Sequence, residues 1–66
     1  MSVAKSIEIL AEGSTLEDAT EEAVRQAAKS VDDIKNVYVD DYRAIVNDGK
    51  IEAYRVHAKV TFVVKS

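Results

Sequence analysis

A chain of 66 residues that is 47% apolar and 32% charged has the makeup of one small globular domain, 1–66, and lacks the low hydrophobicity of a disordered segment. It has no cysteine and one histidine, which excludes disulfides, a thiolate metal site, a thiol nucleophile and a histidine-rich metal centre. A net charge of −3 argues against nucleic acid as the main partner, because duplex binding rests on a dominant basic surface.

Lys5 to Glu12 reads as a strand, with Ile7, Ile9 and Ala11 on one side and Ser6, Glu8 and Leu10 on the other. Gly13 ends it. Ser14 followed three residues later by Glu17 is a capping-box pattern that predicts a helix start. Leu16, Ala19, Ala23, Val24, Ala27 and Val31 then recur at spacings of three and four and form one apolar stripe. Glu17, Asp18, Glu21 and Glu22 precede Arg25 and Lys29, the order that suits the helix dipole, and Glu21 with Arg25 is an i,i+4 pair worth about 0.3 kcal/mol. The alanines in the stripe let the helix lie close to a sheet.

A second strand is predicted from about Ile34 to Val46, and Asn47-Asp48-Gly49-Lys50 is a hairpin turn. From Ile51 to Ser66 the chain alternates almost without a break. Tyr54, Val56, Ala58, Val60, Phe62 and Val64 share one face, and Arg55, His57, Lys59, Thr61 and Lys65 share the other. At roughly 3.3 Å per residue this strand runs about 45 to 50 Å if straight. A compact chain of this length has a radius of gyration near 11 Å and a diameter of roughly 28 Å. The strand either bends sharply or places its far end, with Phe62 and Val64, on another subunit. A domain this small buries only about 60% of its unfolded surface, and oligomerisation is the common remedy when disulfides and structural metal are missing.

The order is βαββ, an α+β fold. A right-handed crossover makes the first two strands parallel, with the last strand between them and antiparallel to both, so the sheet order is 1-3-2 with the helix on one face. With Asp48-Gly49 at the turn centre, Tyr42 is expected opposite Arg55, Asp40 opposite His57 and Tyr38 opposite Lys59, all on the face turned away from the helix. Val39 opposite Ala58 and Val37 opposite Val60 lie beneath the helix.

The far face therefore carries Asn36, Tyr38, Asp40, Tyr42, Arg55, His57 and Lys59, with Glu8 nearby. Two readings stand open: a solvated or intersubunit face of cross-strand pairs, each worth about 0.2 to 1 kcal/mol, or a ligand surface on which tyrosines stack against a flat ring and Arg55 or Lys59 holds an anionic group. Asp40 and His57 are an acid–base pair in type, but no motif places a serine or threonine as nucleophile, and no enzyme is expected. Asp32, Asp33, Asp40 and Asp41 offer oxygen ligands for Ca²⁺ or Mg²⁺ without EF-hand spacing. There is no phosphate-binding glycine loop. No stretch is apolar for long enough to span a bilayer, and the first residues lack the hydrophobic run of a signal peptide. No membrane partner is expected, and cytoplasmic residence is the default.

The βαββ order, the length, the segment Lys29-Ser30-Val31-Asp32-Asp33-Ile34 and the run Tyr54-Arg55-Val56-His57-Ala58-Lys59-Val60-Thr61-Phe62 together resemble the dodecin family. That resemblance implies a subunit of a hollow homododecamer that stores or buffers a small ligand and is not an enzyme. The family's ligand is flavin (riboflavin, FMN or FAD), bound in pairs between subunits. A tryptophan that sandwiches the flavin ring corresponds by position to Asn36, and a glutamine that bonds its polar edge corresponds to Arg55. Asn36 has no ring, and a lost stacking contact of this kind is worth on the order of 1 to 3 kcal/mol. Tyr38 lies two residues on along the same face, and Arg55 suits an anionic group such as a phosphate. The cofactor-binding candidates are thus Asn36, Tyr38, Arg55 and His57. The chain looks closest to a branch that lacks the tryptophan and is associated with cations, calcium among them. The alternative is a flavin-free structural shell with Ca²⁺ or Mg²⁺ at subunit interfaces, with Asp40 and Asp41 as ligands.

Overall fold

In the computed structural model, which describes residues 2–65, four elements follow the sequence pattern: β1 (Ser2–Gly13), α1 (Leu16–Ala28), β2 (Ile34–Asn47) and β3 (Lys50–Lys65). Ser66, expected to close the last strand, lies outside the described residues. The sheet order is β1-β3-β2 with both pairings antiparallel, as the right-handed crossover requires. β1 starts earlier than its alternation suggests, because Val3 and Lys5 continue the ladder against Val64 and Phe62. Among the described residues, no helix is long and apolar enough to cross a membrane.

The core is thin and built from small side chains. Ala11, Ala19, Ala23, Val56 and Ala58 form one buried cluster, with Ile9, Val37 and Val39 packed against it. Ala19, Ala23 and Ala27 are the buried ridge of α1, so the helix seats on the sheet at close range. Leu16, expected in that ridge, is exposed, and Val24 and Val31 are half-buried. Gly13 is where strand and helix come nearest: a Cβ there would lie 2.4 Å from the Ala19 backbone nitrogen.

The helix cap is one residue later than the Ser14–Glu17 pattern predicts. Thr15 is the N-cap, and its Oγ1 accepts from the Asp18 backbone N–H at 3.0 Å, while the Ser14 hydroxyl donates to the Asp18 carboxylate at 2.7 Å. The sequence offers two hydroxyls followed at the same spacing by two acids, and the later hydroxyl caps the helix. Arg25 pairs with Glu22 and not with the expected Glu21. The Glu22 carboxyl also accepts from the Gln26 amide at 2.7 Å. That bond, aided by Arg25 and Lys29, holds it below its ordinary value.

The link to β2 turns at Asp33, whose φ is +59°. Its carbonyl accepts from the Val63 N–H at 3.2 Å, and Lys35 at 2.8 Å draws its carboxyl below the ordinary value. Asp48 (φ 54°) and Gly49 (φ 75°) centre the β2–β3 turn, and Asn47 pairs with Lys50, as the Asp-Gly signal predicts.

Two bulges then reset the hairpin. Val46 pairs with Ile51, but Glu52 is an extra residue on β3, so Ile45 meets Ala53, Arg43 meets Arg55, Tyr42 meets Val56 and Asp41 meets His57. Asp40 is an extra residue on β2, and the expected pairs Val39–Ala58, Tyr38–Lys59 and Val37–Val60 resume. The expected pairs Tyr42–Arg55 and Asp40–His57 are therefore not ladder pairs. Tyr42 moves to the helix side, where its ring lies 6.4 Å from that of Tyr54, and Arg43 takes its place on the far face. A third irregularity falls between Ile34 and Asn36.

The strands stay extended. The chain measures 52 × 19 × 13 Å with a radius of gyration of 13.6 Å, well above the roughly 11 Å of a compact chain this size. The uncovered far end expected from the strand's length is found only in part: Val64 is exposed there beside its partner Val3, but Phe62 is not, and further uncovered apolar surface lies at the hairpin end. Phe62 is only 9% exposed within its own chain, set between Lys5 and Ile34. Val46 and Ile51 at the hairpin end are 61% and 58% exposed, beyond the cluster that α1 forms with Ala11, Val56 and Ala58.

Candidate functional site

On the face turned away from α1, even-numbered residues of β1 and odd-numbered residues of β3 lie side by side, and β2 completes each row. The rows read Glu12–Arg55–Arg43, Leu10–His57–Asp41, Glu8–Lys59–Tyr38 and Ser6–Thr61–Asn36. Arg55, Arg43, Leu10, His57 and Asp41 of the first two rows, with Glu8 and Ile9, line an open depression of about 450 Å³. Leu10, 69% exposed, gives it an apolar patch between charged walls.

Arg55 is not a free cation. Its Nε and Nη2 both donate to Glu12 Oε2, at 2.9 and 2.6 Å. Arg43 lies directly opposite Arg55, and among the described residues it has no carboxylate partner. Two like charges face each other here, and the row's one carboxylate, Glu12, lies on the far side of Arg55, which leaves the Arg43 end of the row positive.

His57 stands at the centre. Its Nε2 is 3.3 Å from Glu8 Oε1 and its Nδ1 is 3.4 Å from Asp40 Oδ2. Adjacent residues of a regular strand point to opposite faces, but the bulge at Asp40 gives two β2 residues to one position of β3. Asp40 and Asp41 thus both reach His57, and one ligand atom from each of the three lies within 4.8 Å of the others.

Of the residues singled out in the sequence, the depression brings together Arg55, His57 and Asp41, with Asp40 beside His57. Tyr38 lies one row away beside Lys59, and Asn36 two rows away beside Thr61. Asp32 and Asp33 stand apart at the α1–β2 link. Arg43, Leu10 and Glu12 were not singled out. Arg43 is hidden by parity, since without the bulges it belongs on the helix side. Glu12 opposite Arg55 was legible from charge complementarity once the sheet order was drawn.

A single helix laid on one face of a three-stranded sheet of order β1-β3-β2, with a charged depression on the bare side and long strands overhanging the core, defines a βαββ subunit class. The Dodecin family model matches residues 3–65, and the chain belongs to the dodecin family, known as small flavin-binding storage proteins. A crystal structure of a Thermus thermophilus protein superposes with a TM-score of 0.91 at 22% identity, over 100% of this chain and 98% of that one. An arginine-to-alanine variant of T. thermophilus dodecin gives a TM-score of 0.89, also at 22% identity and with the same coverage. Dodecin from Streptomyces davaonensis gives 0.88 at 20% identity, over 98% of this chain and 97% of that one. No curated protein matches the chain.

Proposed function

We propose that the chain is the subunit of a cytoplasmic, non-enzymatic homododecamer that stores or buffers a small anionic ligand, held on the sheet face turned away from α1. The observation that carries this reading is the depression in which exposed Leu10 adjoins Arg43 and Arg55. An apolar patch beside two guanidiniums suits a ring system with an acidic group. Flavin is the family's ligand. Asn36 offers its ring no stacking partner, and Tyr38 is the nearest aromatic residue along the same face, so the charged end supplies more of the affinity than stacking does. FMN, with a phosphate, is then preferred over riboflavin, without one.

The test is quenching of flavin fluorescence by the purified protein at micromolar concentration. FMN quenched more than riboflavin, with the difference removed by Arg43→Gln, supports the reading. No quenching of either removes flavin as the ligand.

A second reading is a flavin-free structural shell whose Asp40 and Asp41 bind Ca²⁺ or Mg²⁺ at subunit interfaces. The bulge that turns both carboxylates to one face favours it. A melting temperature unchanged by chelator would count heavily against it.

A further inference from the structure

We propose that His57, Asp40 and Asp41 form a three-ligand site for a divalent transition cation of the zinc type, with Glu8 orienting the imidazole. The site lies within one chain and does not rest on the ligand-storage reading.

The argument starts from the imidazole. A neutral histidine has one N–H and one lone pair, and an ionised carboxylate only accepts. Here both ring nitrogens face carboxylates, Glu8 at 3.3 Å and Asp40 at 3.4 Å. One N–H can answer one of them. At the other nitrogen a lone pair lies close to carboxylate oxygen, an arrangement that repels until something positive sits between.

A proton on the ring would answer for Asp40 alone. It gives no role to Asp41, whose carboxylate the Asp40 bulge brings to the same point, with all three ligand atoms within 4.8 Å of one another. A divalent ion with bonds of about 2.0 to 2.2 Å uses all three, and exposed aspartate side chains close the remaining distance by rotation. The two nitrogens then divide their tasks. Nε2–H donates to Glu8, which leaves Nδ1 as the ligand, the carboxylate–histidine–metal arrangement in which the outer carboxylate fixes the ring and raises its basicity.

The donor set also selects the metal class. Calcium and magnesium prefer oxygen ligands, whereas one imidazole with two carboxylates suits zinc, nickel or cobalt. Three protein ligands leave an open position on a tetrahedral ion. Asp41 and His57 share the depression with Arg43 and Arg55, so water or a small anion held there would complete the shell.

The chain has one histidine, so ¹⁵N NMR of its imidazole reads the site without ambiguity. The full chain, freed of metal by chelator, is titrated separately with ZnCl₂, CaCl₂ and MgCl₂. Zinc at near-stoichiometric amounts is expected to shift Nδ1 and leave Nε2 protonated, with no comparable shift from calcium or magnesium at millimolar concentration. Asp40→Asn and Asp41→Asn should each weaken zinc binding at least tenfold, Glu8→Gln about 10- to 100-fold, and Asp32→Asn not at all. No imidazole shift with millimolar zinc, or an equal response to calcium, overturns the site. Metallation at Nε2 overturns the role given to Glu8. Because the decisive reading is on the unsubstituted chain, a variant that fails to fold does not blunt the test. Flavin quenching is measured separately, so failure here leaves the storage reading standing.

Discussion

Arg43 lies directly across the β2–β3 ladder from Arg55, and only Arg55 has a carboxylate partner, Glu12. Directly opposed like charges destabilise a sheet by roughly 0.2 to 1 kcal/mol, and a half-exposed Arg–Glu pair recovers no more than that. The fold thus tolerates a small electrostatic cost at the one place where an anionic ligand would remove it. Arg43→Gln is expected to stabilise the ligand-free chain by about 0.2 to 1 kcal/mol in urea unfolding at low salt, with the gain shrinking as salt screens the pair. A loss of stability at low salt would show that Arg43 is already compensated.

The helix start offers a sharper check of the structure against the sequence pattern. Thr15 supplies the oxygen that caps Asp18 N–H, and Ser14 only bonds the Asp18 side chain. Thr15→Ala should cost about 1 kcal/mol, within the 0.5 to 2 range typical for lost N-caps. Ser14→Ala should cost clearly less. Thermal unfolding of the two variants side by side decides it, and the reverse ranking would restore the earlier cap.

Gly13 and Gly49 are required for different reasons, and alanine separates them. At Gly13 a Cβ would be 2.4 Å from Ala19 N and 2.7 Å from Asp18 C, both backbone atoms that cannot swing away. Gly13→Ala must push the helix off the strand, at the roughly 1 to 3 kcal/mol of an overpacked core. At Gly49 nothing lies within 4 Å and the cost is the positive φ alone, about 1 to 2 kcal/mol for an L-residue in that region. Gly13→Ala should also lower helical circular dichroism before unfolding; Gly49→Ala should leave it intact.

Much of this molecule is written in alternation. The phase of β1, the two faces of β3, the Asp-Gly turn and the 1-3-2 order all follow from which residues are apolar and where glycine falls. The site was less legible, for a specific physical reason. Glu52 and Asp40 are ordinary strand residues, and nothing in their type marks a bulge. The two insertions lie on opposite strands and cancel, so the pairs at Asn47–Lys50 and at Tyr38–Lys59 agree with an unbroken ladder. Between the two insertions every pair, from Ile45–Ala53 to Asp41–His57, is displaced by one, which turns Tyr42 and Arg43 over and lets Asp40 and Asp41 both reach His57. A pattern of period two cannot register an error that returns to zero within eight residues.

The burial pattern changes what an assembly test should target. Phe62 is packed inside its own chain, so Phe62→Asp should unfold the subunit and says nothing specific about its contacts. Ile51 pairs with Val46 at the overhanging hairpin end, and both are more than half exposed. Exposed apolar side chains grouped at one end of a 52 Å chain are the surface a neighbouring subunit would cover. Light scattering should show a multi-subunit mass for the parent and for Lys65→Asp, and a sharply lower mass for Ile51→Asp with circular dichroism unchanged. A parent mass of one subunit at micromolar concentration would sink the dodecameric reading. Equal large masses for all three would instead move the contact away from the hairpin, to the long unpaired edges of β1 and β2, where backbone N–H and C=O groups and not side chains would hold the shell together.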